Sequence, residues 1–191
     1  MAAHVSALPI SGAWKIECPR IKDHRGSFHE WFRDDTVRAF TGGSLRPRQA
    51  NWSVSHLGVL RGISVITGTP GQSKYVTCVR GAVLDVVVDV RVGSPTFGRW
   101  HMERLSEDQD VSLYLDEGLG HAFLSLAENS MLVYLLSQPH DPAREQRVQA
   151  LDPDVGITWP ADIAVTRSAK DLAAPSLAEA ERARLLPEYT I

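Results

Sequence analysis

Lys74-Tyr75-Val76-Thr77-Cys78-Val79-Arg80, a single Gly81, and then Ala82-Val83-Leu84-Asp85-Val86-Val87-Val88-Asp89-Val90 form the most telling stretch of this chain. β-Branched residues dominate it and one glycine divides it, so it reads as two successive strands. In the second run a period of two puts Val83, Asp85, Val87 and Asp89 on one face. Leu84, Val86, Val88 and Val90 fall on the other, and that set requires a core.

The pattern continues on both sides. Strands are expected at Trp14 to Cys18, Phe28 to Arg33, Gln49 to Ser55 and Val59 to Ile66. Others follow at Phe97 to Arg104, Val111 to Leu115, Ala122 to Leu126 and Met131 to Leu136. Many short strands separated by Gly, Pro, Asp and Asn predict a double-sheet sandwich or barrel rather than βαβ units. A jelly roll fits best. Helical signal is confined to a turn or two at Asp34 to Phe40 and to Ser176 to Leu186, where Ser176 and Glu179 stand at capping-box spacing. The polar, Pro/Asp-rich segment from Pro139 to Gly156 reads as a loop. The whole chain, 1–191, is expected to be one jelly-roll domain whose part from about 161 is a helical extension.

Composition narrows the classes. Hydrophobic residues make up 43% and charged residues 23%, as in an ordinary globular domain. A net charge of -3 gives no case for binding nucleic acid or an anionic membrane, so an anionic ligand would need a local basic pocket. No apolar run approaches the roughly 18 residues of a membrane span. The N-terminus lacks a basic segment followed by an apolar one, which predicts no secretion signal. The two cysteines, Cys18 and Cys78, are expected as free thiols in a cytoplasmic protein.

Several motifs follow one another in order: Asp23-x-Arg25-Gly26-x-Phe28, Gln49-x-Asn51-x-Ser53-x-Ser55 and Gly58-Val59-Leu60-Arg61-Gly62, followed by Lys74. Beyond them come Asp85-Val86-x-Val88-Asp89-x-Arg91, Ser94-Pro95-Thr96-Phe97-Gly98, His121-Ala122-Phe123, Tyr134 and Ile157-x-Trp159-Pro160. No single one is specific, but the ordered set, running from about Ile16 to Pro175, resembles the dTDP-4-dehydrorhamnose 3,5-epimerase family. That resemblance implies an all-β, cupin-type jelly roll with short peripheral helices and a C-terminal helix. It also implies a homodimer and a dTDP-linked 4-keto-6-deoxysugar as ligand.

Inverting a carbon beside a ketone needs a base, stabilisation of the enolate, and an acid on the opposite face. By resemblance Lys74 stabilises the enolate, Tyr134 is the acid, and Asp171 is the carboxylate that orients a histidine base. Arg25 and Arg61 would hold the diphosphate, as guanidinium groups meet such oxygens with paired hydrogen bonds. Glu30, Gln49 and Asn51 would line the nucleotide and sugar site. The histidine itself is absent: Ser64 stands in its place, and Ile66 replaces a glutamine two residues on. A serine hydroxyl is far too weak a base, and losing a positioned general base costs on the order of 10²–10⁴ in rate. Three accounts stay open: His121 serves as base, Asp171 acts through Ser64 or a water, or the chain does not epimerise. Ser137-Gln138-Pro139-His140 stands where the family often has a tyrosine, which suggests a changed sugar or a single reacting carbon, and Ala122 replaces the usual glycine, a small steric change.

A metal-dependent cupin would group its histidines, whereas His101, His121 and His140 are isolated and no His-x-His occurs. No metal and no cofactor are therefore expected. The reading is an epimerase-like isomerase acting at C3, C5 or both, in deoxysugar biosynthesis for a secondary metabolite. The alternative is a family member that catalyses another keto-sugar step or only binds the sugar nucleotide.

Overall fold

Among residues 3–190, the part of the chain that the computed structural model describes, turns at Gly, Pro, Asp and Asn cut the β-branched runs into thirteen strands. In chain order these are β1 (His4–Ala7), β2 (Ala13–Glu17), β3 (Ile21–Asp23), β4 (Gly26–Phe28), β5 (Gln49–Ser55), β6 (Leu60–Ile66) and β7 (Lys74–Arg80). They continue as β8 (Ala82–Asp89), β9 (Trp100–Ser106), β10 (Val111–Leu115), β11 (Leu119–Ser125), β12 (Ser130–Leu136) and β13 (Glu145–Arg147). Helices α1 (Asp34–Thr41), α2 (Ala169–Leu172) and α3 (Leu177–Arg182) are short.

Six strands make one sheet in the order β1-β2-β10-β7-β12-β5, and five make a second, β13-β6-β11-β8-β9. Pairing within both is antiparallel, as is that of the separate hairpin β3-β4. The two larger sheets form the all-β double-sheet jelly roll expected from the strand spacing.

Both faces of β8 are buried, which the alternation did not distinguish. Val83 and Val87 meet Val76, Leu113 and Leu132 between the sheets. Val86, Val88 and Val90 form the outer face, where Leu177, Ala180 and Leu186 from the C-terminal segment cover them. The C-terminal segment thus supplies core side chains. Its helix opens at Ser176 with the capping box complete, although it ends at Arg182, short of the Leu186 expected. On the outer face of the six-stranded sheet, α1 and the preceding loop cover Tyr75 and Tyr114 with Val37, Trp31 and Phe40.

Two expectations are corrected. The strand expected over Phe28 to Arg33 stops at Phe28, because Trp31 and Phe32 turn in to pack on Tyr75 instead of pairing. Within the supposed loop from Pro139 to Gly156, residues Glu145–Arg147 pair with Ile66, Val65 and Ser64 as the edge strand β13. No helix among the described residues is long and apolar enough to cross a membrane.

Candidate active site

Between the two sheets lies a cavity of about 670 Å³ lined by Gln49, Asn51, Arg61, Ser64, Lys74, His121, Tyr134 and Asp171 among others. Its two walls come from different sheets. On the six-stranded sheet, Gln49 and Lys74 flank Leu136 from either side while Asn51 pairs with Tyr134, so their side chains share the inner face. On the five-stranded sheet His121 is the Cα partner of both Ser64 and Val87. The cavity thus has Tyr134 and Lys74 on one wall and His121 on the other.

Gly62 makes the second wall possible. Its φ is +96°, and a Cβ there would stand 2.3 Å from the carbonyl oxygen of His121. Only glycine permits that approach and that backbone. The register of β11 against β6 shifts between His121 and Phe123, and this irregularity sets Ser64 opposite His121.

His121 is held from behind. Its Nε2 lies 2.9 Å from both oxygens of Asp85, which is fully buried. A buried carboxylate needs such a partner. With Nε2 carrying the proton it donates, the neutral ring keeps Nδ1 as its acceptor. Among the described residues no hydrogen bond occupies Nδ1, and His121 lines the cavity wall.

Across the cavity, burial pushes the Lys74 ammonium down to about 8, with Glu145 and Asp85 pulling it back up. Burial likewise raises the Tyr134 phenol, while Arg61, Asn51 and Ser53 work in the other direction. The phenol therefore keeps its proton near neutral pH, as a proton donor must. Arg61 leans along the rim, Nε donating to Ser55 Oγ at 3.2 Å and Nη2 to the Val54 carbonyl at 3.3 Å.

Three of the candidate residues are engaged by neighbours in their own chain. Asp171 is in the cavity but has a partner, because Arg147 donates to its Oδ1 and the Ser168 hydroxyl to its Oδ2. Arg25 and Glu30 are outside the cavity of their own chain. Arg25 is exposed and bonded to Asp23 at 2.6 Å, and Glu30 pairs with Arg33 at 2.8 Å. Both lie on or beside the projecting β3–β4 hairpin.

Sequence reasoning missed Asp85 as a site residue, along with Glu145, Arg147 and Arg167. An acid on an otherwise valine-rich strand was the available signal for Asp85. Glu145 and Arg147 lay in a segment read as a loop, and Arg167 carried no motif. Arg167 lines the cavity with Nη1 buried and without a hydrogen-bond partner among the described residues.

The sequence profile described as dTDP-4-dehydrorhamnose 3,5-epimerase matches residues 7–179. A dTDP-4-dehydro-6-deoxyglucose 3-epimerase of Streptomyces bikiniensis is 53% identical over 95% of this chain and 93% of its own length. A double mutant of ChmJ, a 3'-monoepimerase from the same organism, has been solved with dTDP. It superposes with a TM-score of 0.94 at 52% identity, over 96% of this chain and 92% of that one. NovW, a 4-keto-6-deoxy sugar epimerase from the novobiocin biosynthetic gene cluster of Streptomyces spheroides, gives a TM-score of 0.95 at 46% identity, covering 99% and 94%.

Proposed function

The chain belongs to the dTDP-4-dehydrorhamnose 3,5-epimerase family, and from that premise we propose that it moves a proton at the carbon beside the ketone of a dTDP-linked 4-keto-6-deoxyhexose. The observation that carries this reading is the arrangement of His121–Asp85 on one sheet and Lys74 with Tyr134 on the other, around one cavity. His121 Nδ1 takes the proton from the carbon, and the electron pair of the broken C–H bond moves into the ring to leave an enolate on the ketone oxygen. Lys74 donates to that oxygen, in the manner of an oxyanion hole. Tyr134 returns a proton to the opposite face and inverts the centre. No redox step occurs and no cofactor is consumed.

Arg61, Gln49 and Asn51 serve the nucleotide and diphosphate. The ChmJ double mutant replaces a histidine and a tyrosine 70 positions apart, and Ser64 and Tyr134 stand at the same separation here. That spacing supports Tyr134 as the acid and Ser64 as the place of a lost base. The Streptomyces relatives, NovW among them, support a place in deoxysugar biosynthesis for a secondary metabolite.

Arg25 and Glu30 join the site only if another copy brings them. The hairpin carrying them exposes Ile21 and Phe28, and β5, an open sheet edge, exposes Trp52 and Val54. An apolar face of this kind on an unpaired edge favours a homodimer in which each hairpin crosses to its partner.

The test is incubation with dTDP-4-keto-6-deoxyglucose in heavy water, with C3 and C5 followed by NMR. Enzyme-dependent deuterium uptake is expected, falling about 10²–10⁴-fold in His121→Ala. Uptake unaffected by His121→Ala would remove His121 as base. No uptake in the wild-type protein would leave another keto-sugar step or binding alone.

A further inference from the structure

Beside the dyad, on the same wall, lies a second cluster of charge that the reaction above does not use. Arg147 is the Cα partner of Ser64 across the β6–β13 pairing. It donates from Nη1 to Asp171 Oδ1 and from Nη2 to Glu145 Oε1 at 3.0 Å. The other oxygen of Asp171 accepts the Ser168 hydroxyl at 2.6 Å. Asp171 is only 3% exposed, each of its oxygens has a donor, and among the described residues no hydrogen bond joins it to Ser64. Ser64, Glu145, Arg147, Ser168 and Asp171 all line the same cavity as Lys74 and His121.

Resting on the proton-transfer reading, we infer that Arg147 is a positioning residue that withdraws Asp171 from proton transfer and gives the Ser64 corner a fixed positive charge, leaving removal of the proton to His121. Charge at this corner explains why. A base placed there would become a second cation beside a guanidinium, and like charges oppose that protonation. An enolate, by contrast, gains from the same guanidinium. The guanidinium therefore favours the product of deprotonation and disfavours a base beside it, and it offsets Asp171 and Glu145, the carboxylates that would do the reverse. Glu145 and Asp171 hold the Arg147 cation against the effect of its burial. The charged and titratable groups facing the corner from the neighbouring elements are Lys74, His121, Glu145, Arg167 and Asp171.

An imidazole introduced by Ser64→His reports the corner directly, with no substrate present. Its titration is followed by NMR, alone and together with Arg147→Gln or Arg147→Ala; the Gln variant keeps bulk and a donor if the Ala variant fails to fold. With Arg147 in place the imidazole is expected to titrate below the ordinary value of about 6.5. With Arg147 removed it should titrate at least about one unit higher, a tenfold gain in proton affinity, because Asp171 becomes available to it. Adding Asp171→Asn should cut the gain back to the part that loss of the guanidinium alone supplies. Titrations that coincide with and without Arg147 would overturn the inference. So would a gain that Asp171→Asn leaves undiminished.

A second readout uses the His121→Ala background. There Ser64→His should restore deuterium uptake only when Arg147→Gln accompanies it, and uptake restored by Ser64→His alone would also overturn the inference. Absence of uptake in the wild-type protein would overturn the reaction instead, while the titration would still decide the role of Arg147.

Discussion

Lys74 carries opposing demands on a single side chain. Its folded value of about 8 lies below that of an exposed lysine. Below about pH 8 the group is charged in both folded and unfolded chains, and the full cost of burying the charge is present. Between about 8 and the unfolded value near 10.4 the folded state gives up its proton first, so this contribution to stability improves as pH rises. Lys74→Met is therefore expected to melt higher than wild type at neutral pH, by roughly a few degrees. That advantage should shrink above about pH 8. The same variant should lose about 10²–10³ in kcat, and wild-type kcat should decline above about pH 8 as the cation is lost. Thermal melts and exchange rates across this range check both; a Lys74→Met variant that is both active and less stable would contradict the assignment. At this scale the sequence was informative where chemistry is tied to an ordered motif. Lys74, His121, Tyr134, Gln49, Asn51 and Arg61 all meet in the cavity. The partner of Asp171 was not legible, because Arg147 sits in a polar stretch with no periodic signal and meets Asp171 only through tertiary folding.

β6 shows how an element sets the site. Its Gly62 lets the strand press against β11, and its outer edge is completed by β13. Gly62→Ala would combine a strained backbone with a backbone clash, so it should cost more than about 1 kcal/mol of stability. Urea unfolding measures that loss. Deuterium uptake should fall alongside it, since Ala would push His121 off Asp85 and out of line with the cavity. A variant as stable and active as wild type would show that the approach of the two strands is not needed. Long β-branched runs such as β7 and β8 were readable from their composition, although burial on both faces leaves no period-two pattern in their exposure. β13 was not: Glu145-Gln146-Arg147 has neither β-branching nor alternation, and it becomes a strand only because β6 offers it an unpaired edge.

The chain as a whole carries a net charge of -3, yet its cavity collects Arg61, Lys74, Arg147 and Arg167. Overall balance offered no case for nucleic acid as a partner class and could not reveal this local concentration, which arises when distant segments fold together. The same holds for Arg25 and Glu30, whose proposed place in the site rests on an assembly that the sequence does not spell out. If the hairpin of one copy serves its neighbour, Phe28→Asp should yield monomers by light scattering. It should also weaken dTDP binding by about tenfold or more. A dimer that persists, or a monomer with unchanged affinity, would count against the shared site.

His121 and Tyr134, the proposed base and acid, stand on opposite sheets, and the sheets are separate layers with separate hydrogen-bond ladders. Handedness of the product is then a property of the architecture: whichever face of the sugar meets the five-stranded layer loses its proton, and the other regains one. Such a division lets the two layers diversify independently. Ser64 and Ile66 are departures on the layer proposed to remove the proton, beside a layer that keeps Tyr134 and Lys74, proposed to return it.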